Sequence, residues 1–147
     1  MRIGLIGLGR IGAFHTNTLV GIPAIDSLVV TDPVPDRTAQ VVDRHREQGV
    51  EGVDSVAALL SSGVEGVVIA AGTDAHAGLV LACVEAGLPA LCEKPVAQTG
   101  AAGAELLRRL EGSAVPVPDA LDVALVVDAC YRSEQARGAD TPLADHA

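Results

Sequence analysis

Residues 2–12, "RIGLIGLGRIG", decide how the rest of this chain is read. Arg2-Ile3-Gly4-Leu5-Ile6 is a short apolar run of the kind that forms a strand buried on both faces. Gly7, Gly9 and Gly12 follow at the spacing G-x-G-x-x-G, and the apolar pattern then continues with a helical period over 11–20. Strand, glycine turn and helix in that order have a physical rationale. The first glycine allows a tight turn, and the second removes a Cβ where a pyrophosphate would approach. The third lets helix and strand pack closely, and free N–H groups at the helix start can hold phosphate oxygens.

Outward from that turn, apolar runs alternate with helical patterns. The pattern predicts strands at 27–32, 50–53, 65–72 and 88–92. Helices are expected from "DPVPDR" to about Gln48, from Ser55, over 75–86 and from Thr99 to about Leu110. Gly87 reads as the stop of the third of these, and Thr99 as the cap of the last. Alternation of this kind is the signature of an α/β fold with a doubly wound parallel sheet, Rossmann-type, in a single domain. The dinucleotide-binding unit is expected over 1–114. A helix over 115–135 follows a short junction, because Ala120, Val123, Ala124, Val127, Cys130 and Tyr131 recur at steps of three and four. Residues 136–147 read as a flexible tail.

Composition narrows the function. The 147 residues carry a net charge of −9, with nine arginines and a single lysine, Lys94. Such an acidic chain has no basic surface for nucleic acid or an anionic membrane, so neither is expected as a partner. There is one Phe, one Tyr and no Trp, so small aliphatic residues must build the core. Cys83, Cys92 and Cys130 lack ligand spacing, and no metal site is expected; buried free thiols suit a cytoplasmic protein. No apolar run reaches the roughly 18 residues of a membrane span.

Asp32 stands 20 residues beyond Gly12, at the end of the second expected strand. A carboxylate there can accept hydrogen bonds from both hydroxyls of an adenosine ribose and would repel a 2′-phosphate, which favours NAD over NADP. Arg37 tempers that preference, since a nearby guanidinium could offset the repulsion or stack on adenine. S-adenosylmethionine is the rival ligand of similar sheets, and the position of Gly12 and the strand–helix–strand spacing count against it.

Three longer segments carry a resemblance. "GLIGLGRIGAFHTNTL" (4–19), "VVTDPVPDR" (29–37) and "VEGVVIAAGTDAHAGLVLACVEAGLPALCEKPVA" (64–97) resemble the N-terminal half of the Gfo/Idh/MocA oxidoreductases. The pairing of "GRIG" with Phe14-His15 is similar to the inositol 2-dehydrogenases within that family, and "CEKP" (92–95) is its most specific element. The resemblance implies that Gly7, Gly9, Arg10, Ile11 and Gly12 line a pyrophosphate and that Asp32 lies at the adenosine ribose; Leu8, within the turn, and Arg37, near that carboxylate, are counted with them as cofactor-binding. It places Ala71, Gly72, Thr73 and His76 beside the second phosphate and nicotinamide ribose, with Glu93 on that ribose. Lys94 would point at a substrate hydroxyl as the one catalytic residue, with a cis peptide before Pro95. Without the resemblance, a lone lysine reads as a solvated surface charge, His76 as a helix cap, His15 as packing or solvent-facing, and His45 as surface.

The resemblance also implies a second domain that supplies an Asp and a His to the reaction. In its place the chain passes from "SAVPV" (113–117) to "PDALDVALVVDACYRSEQARG" (118–138), which is similar to the last helix of the family. The sequence therefore reads as a dehydrogenase with its middle removed, joined near Val115 to Pro118. It is expected to bind nucleotide without efficient turnover and to self-associate as a homodimer through uncovered apolar surface. The alternative is a nucleotide-bound interaction or regulatory module.

Overall fold

The computed structural model describes residues 1–111. The helix expected over 115–135, the junction before it and the tail over 136–147 lie outside the described residues. Five parallel strands form one sheet: β1 (Arg2–Ile6), β2 (Ser27–Thr31), β3 (Val50–Gly52), β4 (Gly66–Ile69) and β5 (Ala90–Cys92). Their spatial order is β3-β2-β1-β4-β5, so the direction of winding reverses at β1. Ligands of open α/β sheets bind in the crevice that such a reversal opens at the carboxyl ends of the strands.

Helices α1 (Arg10–Leu19), α2 (Pro35–Arg44), α3 (Val56–Leu60) and α4 (Thr73–Glu85) make the crossovers, with a 3₁₀ turn at Arg46–Gln48, and α5 (Gly100–Leu110) follows β5. Ile3, Leu5, Val30 and Val68 point to one face, where they meet Leu19, Val20, Val41 and Val42 from α1 and α2 and their ends. Ile6, Val29, Val67 and Ile69 point to the other, against Val56 and Leu60 of α3 and Leu79 and Val80 of α4. This is the arrangement that right-handed crossovers require once the strand order reverses. Leu5, Leu59 and Ile69 are fully buried. Truncating such a leucine to alanine costs about 2–5 kcal/mol.

The strands and helices expected within residues 1–111 are present, with edges moved by local chemistry. The β4 strand is shorter than 65–72, because Ala70, Ala71 and Gly72 lead into α4 and belong to the cleft. The α2 helix ends at Arg44, before Gln48, since His45 leaves helical geometry (φ −115°, ψ 25°). His45 is also buried, 8% exposed, which corrects its expected place on the surface. Ser55 and Thr99 cap α3 and α5 by accepting from the Ala58 and Ala102 amides at 3.2 Å each. Gly87, at φ +70°, closes α4. Cys83 is a buried free thiol and Cys92 is half-buried, and burial pushes their pKa values up to about 11 and about 12. No described helix is long and apolar enough to cross a membrane, and no three or more His, Cys, Asp or Glu residues among the described ones gather to hold a metal ion.

Candidate functional site

The glycine turn connects β1 to α1 at the winding reversal, and its three glycines are glycine for different reasons. Gly7 has φ +92°, and a Cβ there would lie 2.6 Å from the Ala71 nitrogen. A Cβ on Gly12 would lie 1.9 Å from the Gly7 carbonyl oxygen, closer than any side chain can sit. These two are required by the fold itself. Gly9 differs: its backbone is extended (φ −66°, ψ −166°), which any residue adopts, and a Cβ would meet nothing within 4 Å. Neither backbone nor packing asks for glycine here. Glycine here leaves the backbone open to approach from outside.

Gly9 borders a cleft of about 670 Å³ at the carboxyl ends of β1 to β4. The cleft gathers Gly7, Gly9, Arg10, Ile11, Asp32, Arg37, Ala71 and Gly72 among the residues singled out from sequence. It adds Pro33, Asp54, Ser55, Val56, Asp74, Ala75 and Leu79, which sequence reading missed. Asp54 and Ser55 follow β3 as Asp32 follows β2, and that repeated position was the available signal. Both α1 and α4 begin at the cleft with a glycine cap, Gly9 and Gly72, and neither has a side-chain hydrogen bond at its cap. Their first-turn N–H groups are therefore suited to oxygens of a bound anion.

Asp32 is buried, its side chain 3% exposed. Its Oδ2 accepts from the Leu8 amide at 2.7 Å, and its Oδ1 accepts from the Val34 amide at 2.8 Å and from Arg37 Nη1 at 3.4 Å. The carboxylate thus braces the glycine turn against the β2 end, a task the sequence did not reveal. Oδ2 keeps a lone pair for a further donor. The Leu8 side chain packs in the core, and only its backbone belongs to the turn.

Six of the singled-out residues lie outside the cleft lining. Gly12 and Leu8 sit beneath the turn, and Thr73 opens α4. His76 is 2% exposed, with Nδ1 2.8 Å from the Pro95 carbonyl and Nε2 3.0 Å from the Ala71 carbonyl. Its ring therefore ties the loop after β4 to the loop after β5. A neutral imidazole can donate to only one of these oxygens at a time. Glu93 and Lys94 stand at the end of β5, and the Lys94–Pro95 peptide is cis, as expected. Lys94 is exposed and makes no ion pair among the described residues. Glu93 is not free: His15 Nε2 lies 2.7 Å from its Oε1, and its Oε2 accepts from the Lys94 amide at 3.2 Å. The contact with His15, ahead of every other cause, holds the Glu93 carboxyl below its ordinary pKa of 4.5. His15 was expected in packing or solvent. It pairs instead with a residue 78 positions away, beyond the reach of any local pattern.

Known proteins match this geometry. The family model described as "Oxidoreductase family, NAD-binding Rossmann fold" matches residues 1–118. The chain is 38% identical over 102 residues to inositol 2-dehydrogenase 1 of Saccharopolyspora erythraea, covering 69% of this chain and 30% of that protein. It is 35% identical over 98 residues to myo-inositol 2-dehydrogenase of Thermotoga maritima, covering 65% and 28%. The crystal structure of a myo-inositol dehydrogenase from Corynebacterium glutamicum superposes with a TM-score of 0.67 at 30% identity, over 76% of this chain and 33% of that one. The chain thus spans about 30% of the length of the curated relatives it matches. A parallel sheet reversing at β1 with a glycine turn at the reversal agrees with these matches, and the chain belongs to the Gfo/Idh/MocA oxidoreductase family through its NAD-binding Rossmann-fold domain.

Proposed function

We propose that this chain binds NAD(H) along the Gly7–Gly12 turn and, by itself, does not turn over an alcohol substrate efficiently. The observation that carries the binding half is Gly9. It is the one fingerprint glycine whose missing Cβ serves neither conformation nor packing, so a phosphate approaching the backbone accounts for it. The residues present fit the group: uncapped starts of α1 and α4 for the two phosphates, and the remaining lone pair of Asp32 for an adenosine ribose hydroxyl. Ala71, Gly72 and Thr73 would border the second phosphate, and Glu93 the second ribose. A carboxylate at position 32 disfavours a 2′-phosphate, so NAD is preferred over NADP. Arg37, already within 3.4 Å of that carboxylate, is drawn toward it instead of toward an added phosphate.

Bound nicotinamide would supply the hydride acceptor. Lys94 would supply a positive charge beside a reacting hydroxyl, where an alkoxide is stabilised by an ammonium. Orienting a polyol and moving its proton need further groups at hydrogen-bond distance. The chain spans about 30% of the length of its dehydrogenase relatives, which supports the second half of the proposal for this stretch taken by itself. Calorimetric titration with NADH and NADPH, followed by an inositol oxidation assay, tests both halves. Micromolar NADH binding with weaker NADPH binding and negligible turnover is expected. No heat with either nucleotide would end the first half, and rapid turnover the second.

A second reading, a nucleotide-bound interaction module, is favoured by Phe14 and Leu91, which are 66% and 57% exposed. Large apolar side chains so exposed suit a protein surface, and self-association into a homodimer in the cytoplasm is the form we propose. Sedimentation showing a monomer at every concentration would remove it.

A further inference from the structure

The turn that bears Lys94 is pinned on both sides by a histidine. His76, from α4, faces the carbonyl of Pro95, and His15, from α1, faces the carboxylate of Glu93. The two pins differ in kind. His76 is buried and holds two backbone carbonyls, so it belongs to the core of the loop. The His15 and Glu93 side chains are 20% and 28% exposed, and the bond between them holds a carboxylate that has a lone pair left on each oxygen. His15 also stands on α1 just past Gly12, so it ties the helix that starts at the glycine turn to the turn that carries the lysine.

We infer that His15 is a positioning residue: through Glu93 it sets the direction from which the second ribose of a bound dinucleotide is received. This rests on the proposal that nucleotide binds at the glycine turn, and extends it to a residue outside the fingerprint. The short distance and the partial burial make the bond worth more than a surface ion pair, because a half-dry carboxylate with a fixed donor keeps one orientation. Removing the donor frees Glu93 to turn toward solvent, and the ribose loses a prepared acceptor. The adenosine half of the ligand, held at Asp32 on the far side of the glycine turn, is untouched.

The test compares ADP, which lacks the second ribose, with ADP-ribose and NADH, which carry it, by calorimetric titration of the whole chain. His15→Ala is expected to weaken ADP-ribose and NADH about tenfold, the equivalent of one charge-assisted hydrogen bond, while ADP changes less than about twofold. His15→Gln, whose amide can reach the place of Nε2, should restore most of the loss, and His15→Asn, which is too short, should not. If His15→Ala does not fold, the Gln and Asn variants carry the same contrast. Equal weakening of all three ligands, no weakening of any, or failure of Gln to do better than Asn would overturn the inference. Absence of ADP binding to the unaltered chain would instead remove the nucleotide reading on which it stands.

Discussion

Two turns at the carboxyl edge of one sheet are held in opposite ways. The Gly7–Gly12 turn, after β1, is closed by close approach of backbone to backbone, with Asp32 and Thr16 as side-chain braces on the Leu8 amide and the Gly12 carbonyl. The Glu93–Pro95 turn, after β5, is closed by side chains that arrive from two helices, His15 and His76. β5 lies two strands from β1, about 10 Å away, with the Ala71–Gly72 loop of β4 between them. The first turn is tight because nothing larger than hydrogen fits at Gly7 and Gly12. The second is held only as firmly as its two partners hold it. If nucleotide binds as proposed, its phosphates would meet the turn closed by backbone and its reactive ring the turn closed by side chains.

That contrast can be broken from either side. Gly12→Ala should have the largest effect, since a methyl group 1.9 Å from the Gly7 oxygen must push helix and strand apart. About 3 kcal/mol or more of stability should be lost, read from denaturant unfolding. His76→Leu comes next. It removes the one donor that the Ala71 and Pro95 carbonyls share at a buried site, and about 2 kcal/mol should go, with faster amide exchange in residues 93–97 than in 7–12. Equal exchange in both segments would mean that the two turns are not held separately.

Gly9→Ala should separate folding from binding. Stability is expected to change by under about 1 kcal/mol, the scale of a cap substitution. NADH affinity should fall about tenfold or more, because on the proposed reading the added methyl would stand where a phosphate is received. A loss of stability like that of Gly12→Ala would show that Gly9, too, is a folding glycine. Asp32 is a poor choice for the same test, since its removal also releases the Leu8 and Val34 amides.

The smallest effect concerns acid. The folded Glu93 carboxyl lies below its ordinary value of 4.5, chiefly through the bond from His15. A lowered folded pKa stabilises above the unfolded value, and that contribution is lost as pH falls through the folded value. Because Glu93 is partly exposed, the contribution is expected to be under about 1 kcal/mol. Carbonyl-carbon NMR of Glu93 should show a midpoint below 4.5, moving back toward it in His15→Ala. The lysine turn should loosen below that midpoint before the glycine turn does. An unmoved midpoint would mean that His15 does not hold the carboxylate.

How legible each turn was in the sequence follows from how it is held. The glycine turn could be read directly, because strand period, glycine spacing and helix period all lie within residues 2–20. The acid at position 32 was legible as an expected ribose contact, yet its bracing of Leu8 was not, since a carboxylate's partners depend on burial. His15 could not be assigned, because its partner is 78 residues away and a histidine on a helix carries no mark of what it will meet. His45 was misplaced for the same reason: it lies where α2 ends, and only the packed chain shows its ring covered.

The order of strands and helices, the tight turn after β1 and the small-residue core were settled by the sequence itself, because each depends on neighbours within a few turns of chain. Which side chains fix the lysine turn was settled only in three dimensions. The winding reversal sets β4 beside β1 and β5 beyond it, and only then do residues 15 and 76 come within hydrogen-bond reach of residues 93 and 95. Local pattern specifies elements over distances the backbone itself spans. Contacts between distant residues exist only after the sheet has brought their helices together.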